Sequence, residues 1–297
     1  MSSINARFSQ NISIVHPEYF FIIGLTGIPY SGYYYIFLFI TYFITVIGNS
    51  IVLLILALHR SLHSPKYIGV FNLALVDIGE TNAYISYNAC LATMFFVHFF
   101  STMQSYTLVV LAYDRFIAIC LPLRYHAIVN NTSVVLVFSA IWAFNSSVVA
   151  LMVSLITRLS FLYRLACNDN SINKIMGFLY TSLYLIAPLI IIVLSYLGIF
   201  LALSKITTWQ GRLKALKTCV SHLLLVGVYF LPISCSYIAA WLVSLTPNAR
   251  IISTSLAYAV PAMLNPIIYV LNTAEIKDII QKVVKNRSEP IRENISK

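Results

Sequence analysis

Long uninterrupted apolar runs dominate the chain, and short stretches that collect the charged residues separate them. A helix needs about 20 mostly apolar residues to cross a bilayer, because every backbone polar group must be satisfied within the segment. Strands of a membrane barrel would alternate apolar and polar positions, which these runs do not do. The runs of sufficient length are Tyr33–Leu58, Ala89–Leu111, Val134–Ile156, Met176–Leu203, Thr218–Leu242 and Ile251–Leu271.

One further run, between the first two, is weaker. It extends from Tyr67 to about Ile85, but it is apolar only through Ile78 and continues with Gly-Glu-Thr-Asn. Counted as a span, it completes an all-α membrane protein, a bundle of seven transmembrane helices over residues 33–271. Residues 1–32 then form the segment before the bundle, and residues 272–297 form the tail.

The tail contains its own periodic pattern. In Ala274–Val284 the apolar residues Ile276, Ile279, Ile280 and Val283 recur at i, i+3, i+4 and i+7, while charged residues fall elsewhere. This spacing predicts a short amphipathic helix in the inner membrane interface, with a solvated tail as the alternative.

Composition narrows the class to a membrane protein. Apolar residues make up 60% of the chain and charged residues 9%, against roughly 45–50% and about 25% in soluble domains. So few charges could not cover the surface of a soluble globule, and so many apolar residues exclude intrinsic disorder. The five cysteines form no CxxC pair, which argues against a structural zinc site, and nothing else in the sequence calls for a cofactor.

The charges set the orientation. With the N-terminus outside, five of the 19 Lys and Arg residues lie on the outer side and the rest lie on the inner side, as the positive-inside rule requires. The outer five are Arg7, Arg158, Arg164, Lys174 and Arg250. The net charge of +10 is therefore mostly a topology signal, and nucleic acid is not an expected partner. Asn11 begins a glycosylation sequon on the outer side.

Polar residues inside spans are costly and indicate function. Asn49, Asp77 and Asn265 lie at similar depth in the first, second and seventh spans and are placed to form one polar centre. Prolines 188, 232, 261 and 266 interrupt the last three spans and predict kinks. A bundle of this kind is suited to changing shape. The alternative, that the polar residues only satisfy one another, stays open.

Several segments carry a resemblance to a known family. They are Gly48-Asn49, Leu62-His63-Ser64-Pro65-Lys66-Tyr67, Leu111-Ala112-Tyr113-Asp114-Arg115-Phe116-Ile117-Ala118-Ile119-Cys120, Pro122-Leu123-Arg124-Tyr125, Lys214-Ala215-Leu216-Lys217-Thr218-Cys219-Val220-Ser221-His222-Leu223 and Pro261-Ala262-Met263-Leu264-Asn265-Pro266-Ile267-Ile268-Tyr269. In order and over nearly the entire chain, they resemble the odorant receptors, and most of all the fish members. These are rhodopsin-like seven-helix receptors that act through G proteins.

The resemblance implies a role for each matched residue. Coupling to a stimulatory heterotrimeric G protein would involve Asp114, Arg115, Lys214, Lys217 and His222. The residues that rearrange on activation would be Asn49, Asp77, Tyr196, Asn265, Pro266 and Tyr269. The family also implies a multi-pass protein of the plasma membrane, in the cilia of olfactory neurons.

The family's ligand site lies in the outer half of the bundle, between helices three, five, six and seven. Helical spacing places a matching set of side chains there: Val97, His98, Ser101, Thr102, Tyr180, Tyr184, Ile233, Ser234, Tyr237 and Tyr258. This lining suits a small, mostly apolar odorant held by one or two hydrogen bonds. The alternative is that the aromatic stripes only pack helices together.

Rival functions fail on specific residues. Val97 stands where amine receptors have an aspartate, and the seventh span has no lysine that could carry retinal. No motif of a serine hydrolase, zinc protease or phosphate-binding loop occurs, so we expect no enzyme activity. A transporter with a proton path through Asp77, Glu80 and His98 is a remote alternative.

The chain departs from the family on the outer side. The second span and the second outer loop are both short, and only Cys167 remains of the three cysteines that family members place in that loop. By the resemblance, Cys90 at the top of the third span would need Cys167 as its disulfide partner or stay free. A working receptor, a compacted variant and a truncated or wrongly assembled sequence that does not signal are all open.

Overall fold

A computed structural model describes residues 25, 27–58, 65–79, 87–165, 175, 178–204, 209–242, 245–272 and 276–282. The helices are α1 (Ser31–Leu58), α2 (Pro65–Gly79), α3 (Tyr87–Cys120), α4 (Asn131–Leu165), α5 (Phe178–Ser204), α6 (Trp209–Leu242), α7 (Pro247–Asn272) and α8 (276–282). A short inner-loop segment between α3 and α4 contains a 3-10 turn, Pro122–Arg124, and one helical turn, Tyr125–Ile128.

The described part of the chain is helical and contains no strand, which confirms the all-α membrane prediction. Within it, six helices are long and apolar enough to cross a membrane. α3 and α6 extend well beyond the predicted spans, to Cys120 and back to Trp209. Hydropathy detects only the part of a helix that lies in hydrocarbon, so the polar inner ends of these two helices were outside the predicted spans.

The described part of α2 is short. Its 15 residues rise about 22 Å at 1.5 Å each. The polar end of the predicted span, residues 80–85, lies outside the described residues.

α3 lies at the centre of the bundle. It packs against α2, α4, α5 and α6, while α1 packs between α2 and α7, and α6 packs along α7. Its middle carries fully buried polar side chains, among them Gln104, Ser105 and Thr107. The faces that point out of the bundle are apolar, as with Phe39, Leu194 and Leu224, and this is the surface that a bilayer would cover.

Close approach of α1 and α7 depends on a glycine. A Cβ atom added at Gly48 would lie 2.8 Å from Cγ of Pro266, and real Cβ atoms do not come that near. Gly48 therefore lets α1 rest directly on the proline ring of α7, beside the buried amides of Asn49 and Asn265.

Pro188 produces a local feature that the sequence did not predict. A proline has no N–H to donate to the carbonyl of the residue four before it, here Tyr184. That carbonyl accepts a hydrogen bond from Oγ of Ser105 on α3, at 2.7 Å. The preceding turn, Ser182–Ile186, is a π-helix that closes with the Ala187 N–H on the Ser182 carbonyl. Pro232, Pro261 and Pro266 lie inside helices that continue past them.

α8 confirms the predicted amphipathic helix. Ile276 is fully buried, and Ile279 and Ile280 pack on the core of the bundle, while Lys277 and Asp278 are exposed. Its apolar face therefore rests on the inner end of the bundle.

Candidate functional site

An aromatic cluster joins α3 and α5 in the outer half of the bundle. Oγ1 of Thr102 and the hydroxyl of Tyr180 are 3.3 Å apart, and the ring of His98 meets that of Tyr180 edge-on, with 5.0 Å between centroids. Tyr180 in turn stacks on Tyr184 at 5.2 Å. Four of the predicted ligand residues are therefore in mutual contact.

Tyr229 ties this cluster to α6. Its hydroxyl lies 2.6 Å from the carbonyl oxygen of Ser101 and 3.2 Å from the hydroxyl of Tyr184. Tyr229 is not among the predicted ligand residues, although a signal existed: it precedes Ile233 by four positions and so lies on the same inward face of α6.

An open cavity of about 400 Å³ lies between α6 and α7. It is lined by Ile233, Ser236, Tyr237, Arg250, Ser253, Thr254, Ala257 and Tyr258. Ile233, Tyr237 and Tyr258 belong to the predicted ligand set. The other predicted members are not in this lining, and Val97 and Ser234 are only half-buried.

The cavity and the aromatic cluster are adjacent. The hydroxyl of Tyr180 is close enough to those of Tyr258 and Tyr237 for an electrostatic interaction, and Tyr237 is hydrogen-bonded to Thr181 on α5. The predicted residues that contact one another on α3 and α5 thus form a packed wall. Ile233, Tyr237 and Tyr258, on α6 and α7, line the open cavity beside it.

Five lining residues are outside the predicted ligand set: Ser236, Ser253, Thr254, Ala257 and Arg250. Arg250 is the charged one among them. The sequence indicates only a positive charge on the outer side at this position. In the structure, Arg250 lies in the first turn of α7 and lines the cavity. No three His, Cys, Asp or Glu side chains of the described residues come together as a metal site.

The inner end of α3 carries an ion pair. Nη2 of Arg115 lies 3.4 Å from Oδ2 of Asp114, and the hydroxyl of Tyr125 in the inner-loop segment donates to Oδ1 of Asp114 at 2.7 Å. Burial raises the pKa of Tyr125, and the Asp114 carboxylate raises it further. The hydroxyl therefore keeps its proton at neutral pH, and the bond to Asp114 persists.

His222 links three helices at the same end. Nε2 donates to the carbonyl of Leu108 on α3 at 3.1 Å, because a carbonyl can only accept, and in the neutral ring Nδ1 accepts the hydroxyl hydrogen of Tyr196 on α5 at 2.8 Å. Arg115 is close enough to interact electrostatically with both Tyr196 and His222.

The predicted part of His222 in G-protein coupling stays a prediction. The side chain is 4% exposed and lies inside the bundle, because both ring nitrogens find partners there. Lys217, one and a half turns earlier on α6, is exposed. The side chain of Lys214 lies outside the described residues.

The proposed polar centre is described in part. Nδ2 of Asn49 donates to the carbonyls of Thr45, at 3.0 Å, and Ala262 on α7, at 3.2 Å. Asn265, Pro266 and Tyr269 are buried beside this contact. The side chain of Asp77 lies outside the described residues, so its part in the polar centre stays a prediction.

A second polar link, which the sequence did not predict, joins α2, α3 and α4. Nε1 of Trp142 donates to Oδ1 of Asn72 at 2.8 Å, and Nδ2 of Asn72 donates to Oγ1 of Thr107 at 2.7 Å. In the sequence, each of these three residues is an isolated polar or aromatic position within an apolar run, and its spacing does not indicate a partner.

The predicted disulfide and glycosylation site are not described. The Cys90 side chain, Cys167 and Asn11 all lie outside the described residues. Among the described cysteines, Cys120, Cys219 and Cys235 carry no disulfide.

The sequence is similar to those of known olfactory receptors. The family model of olfactory receptors covers residues 38–287. Mouse olfactory receptor 1M1 is 32% identical over 83% of this chain and 88% of its own length, and human olfactory receptor 51F2 is 32% identical over 92% and 89%. Resemblance to fish members in particular stays a prediction.

The fold agrees with that assignment. Squid rhodopsin aligns with a TM-score of 0.71 over 93% of this chain and 91% of its own, at 19% identity. The chain is therefore a multi-pass membrane protein with the seven-helix fold of G-protein-coupled receptors, a receptor and not an enzyme, and it belongs to the olfactory receptor family.

Proposed function

We propose that the protein is an odorant receptor that binds a small organic molecule in the outer half of the bundle and activates a stimulatory heterotrimeric G protein. It would act in the plasma membrane, in the cilia of olfactory neurons. The observation that carries the proposal is the pair of bonds from α6 to α3, Tyr229 to Ser101 on the outer side and His222 to Leu108 on the inner side.

The outer bond adjoins the ligand space. Tyr229 contacts Tyr184, and Ile233 and Tyr237 follow it along α6 into the cavity. A molecule that enters between α6 and α7 presses on this stretch of α6. Tyr229 and His222 are seven residues apart on one helix, about 10 Å along its axis. A rotation of α6 at Tyr229 therefore also moves His222.

The inner bond adjoins the coupling residues. His222 holds α6 against α3 one and a half turns from Lys217, and Arg115 lies near both His222 and Tyr196. Release of His222 from Leu108 would let the inner end of α6 leave α3 and free Arg115 from Asp114. A positive inner surface of Arg115 and Lys217 is suited to a G protein's acidic or carboxyl-terminal segment.

Arg115→Ala tests the coupling. We expect the variant to lose odorant-evoked cyclic AMP while surface labelling stays at the wild-type level, because the side chain is needed only at the inner end. Ser221→Ala is the matched control, since among the described contacts its hydroxyl donates to the Lys217 carbonyl of its own helix. Undiminished signalling from Arg115→Ala would contradict the assignment.

A further inference from the structure

One side chain that lines the cavity between α6 and α7, that of Arg250, is positively charged. Arg250 is exposed at the outer end of the cavity, in the first turn of α7. The first turn is the positive end of a helix dipole, where a cation is unfavourable and an anion is stabilised. Arg250 therefore does not stabilise α7, and together with the helix end it forms a field that attracts negative charge.

No described carboxylate neutralises this charge. The acidic side chains that the structure describes are Asp114 and Asp278, and both lie at the inner end of the molecule. The ion pair found in the described part joins Asp114 to Arg115. Among the described residues, no acidic side chain competes with a ligand for the guanidinium of Arg250, which has up to five N–H donors.

The hydroxyls of two neighbouring serines already donate hydrogen bonds to backbone carbonyls. Oγ of Ser253 donates to the carbonyl of Arg250 at 3.1 Å, and Oγ of Ser236 donates to the carbonyl of Ser253 at 3.3 Å. Their protons are not available to a bound molecule. Arg250 consequently supplies the strongest donors at the outer end of the cavity.

The cavity becomes apolar with depth. Thr254, one turn below Arg250, is exposed, whereas Ala257 and Ile233 are buried, at 2% and 1% exposure. Arg250 and Ala257 are two turns apart, about 10 Å along the helix. This arrangement matches an elongated molecule with an anionic head and an alkyl tail.

We infer that the odorants of this receptor are small monocarboxylates, with the carboxylate on Arg250 and the alkyl chain against Ile233 and Ala257. The inference rests on the proposed function and narrows its ligand class. An amino acid fits less well, because its ammonium group would need an acidic partner that the described lining lacks.

Chain-matched probes test this directly. Purified receptor in lipid nanodiscs is titrated with butanoate, hexanoate and octanoate and with the alcohols of the same chain lengths, and binding is read from the rise in unfolding temperature. We expect the best carboxylate to bind about tenfold more tightly than its alcohol, as a charge-assisted hydrogen bond implies. Arg250→Gln should remove that preference, because glutamine offers the carboxylate no positive charge.

Lys282→Gln is the control, since it removes one exposed positive charge at the opposite end of the molecule. Alcohols that bind as tightly as the carboxylates, or a preference that survives in Arg250→Gln, would overturn the inference and leave the odorant receptor function standing. Failure of every carboxylate to bind, while neutral odorants evoke cyclic AMP, would also overturn the inference alone. A receptor that responds to no small organic molecule would contradict the proposed function itself.

Discussion

Single residues set how closely the helices approach. Gly48 is the clearest case, because the ring of Pro266 occupies the space that a side chain would need, 2.8 Å from the added Cβ. A proline ring cannot rotate away, so a methyl group at this position must push α1 from α7. The buried amide contact of Asn49 with Ala262 depends on the same spacing.

Gly48→Ala should therefore destabilise the receptor by about 1–3 kcal/mol, the usual effect of overpacking. Gly227→Ala is the matched control: its Cβ would meet Leu231 at an ordinary 3.8 Å, and alanine is the better helix former by about 1 kcal/mol. Thermal unfolding of the purified proteins should show a lower midpoint for the first variant only. An unchanged midpoint in Gly48→Ala would mean that α1 and α7 do not pack this closely.

At the scale of the element, hydrogen bonds between described residues hold α6 to α3 near both ends of the contact. His222 makes one of them, and its two ring nitrogens join α6 to Leu108 and to Tyr196. Leucine at this position would bury an apolar group of similar width but make neither bond. The inner end of α6 would then be easier to displace.

We expect His222→Leu to raise ligand-independent cyclic AMP several-fold, because loss of about 1–2 kcal/mol of hydrogen bonding shifts a two-state equilibrium by roughly that factor. Tyr196→Phe should act in the same direction and more weakly, since it keeps the bond between His222 and Leu108. Basal activity per receptor at the surface is the measurement. If His222→Leu lowers basal activity, the bond does not hold the resting state.

The elements themselves were largely predictable from the sequence. Continuous apolar runs gave the spans, and the i, i+3, i+4 spacing gave α8. The π-helical turn at Ser182–Ile186 and the link from Trp142 to Thr107 were not predictable, because they arise from partners on other helices. Arg250 was missed for the same reason, since an outer charge becomes part of a site only when α6 packs beside it.

The whole molecule must also reach the cell surface. Tyr67 to Cys90 is a separation of 23 residues, and about 20 of these are needed to cross the hydrocarbon, which leaves little for a turn. With two of the family's loop cysteines absent, the restraint of a disulfide, typically about 2–4 kcal/mol, depends on Cys90 and Cys167.

We therefore predict low surface expression and retention inside the cell, relative to mouse olfactory receptor 1M1 in the same cell line. Surface labelling of both proteins with the same terminal tag measures this. Restoration of a family-length second span and outer loop should raise the signal. Labelling equal to that of the mouse receptor would contradict the prediction, and a Cys90–Cys167 bridge found by mass spectrometry would explain it.

The central claim is that the bundle transmits occupancy of its outer cavity to a G protein. Nucleotide exchange on a purified stimulatory G protein, with the receptor in lipid nanodiscs, tests this without dependence on trafficking. We predict that the carboxylate that binds best accelerates exchange by the wild-type receptor and not by Arg115→Ala, although the variant binds that carboxylate equally well. Exchange that no bound ligand accelerates, or that Arg115→Ala supports as well as the wild type, would contradict the account.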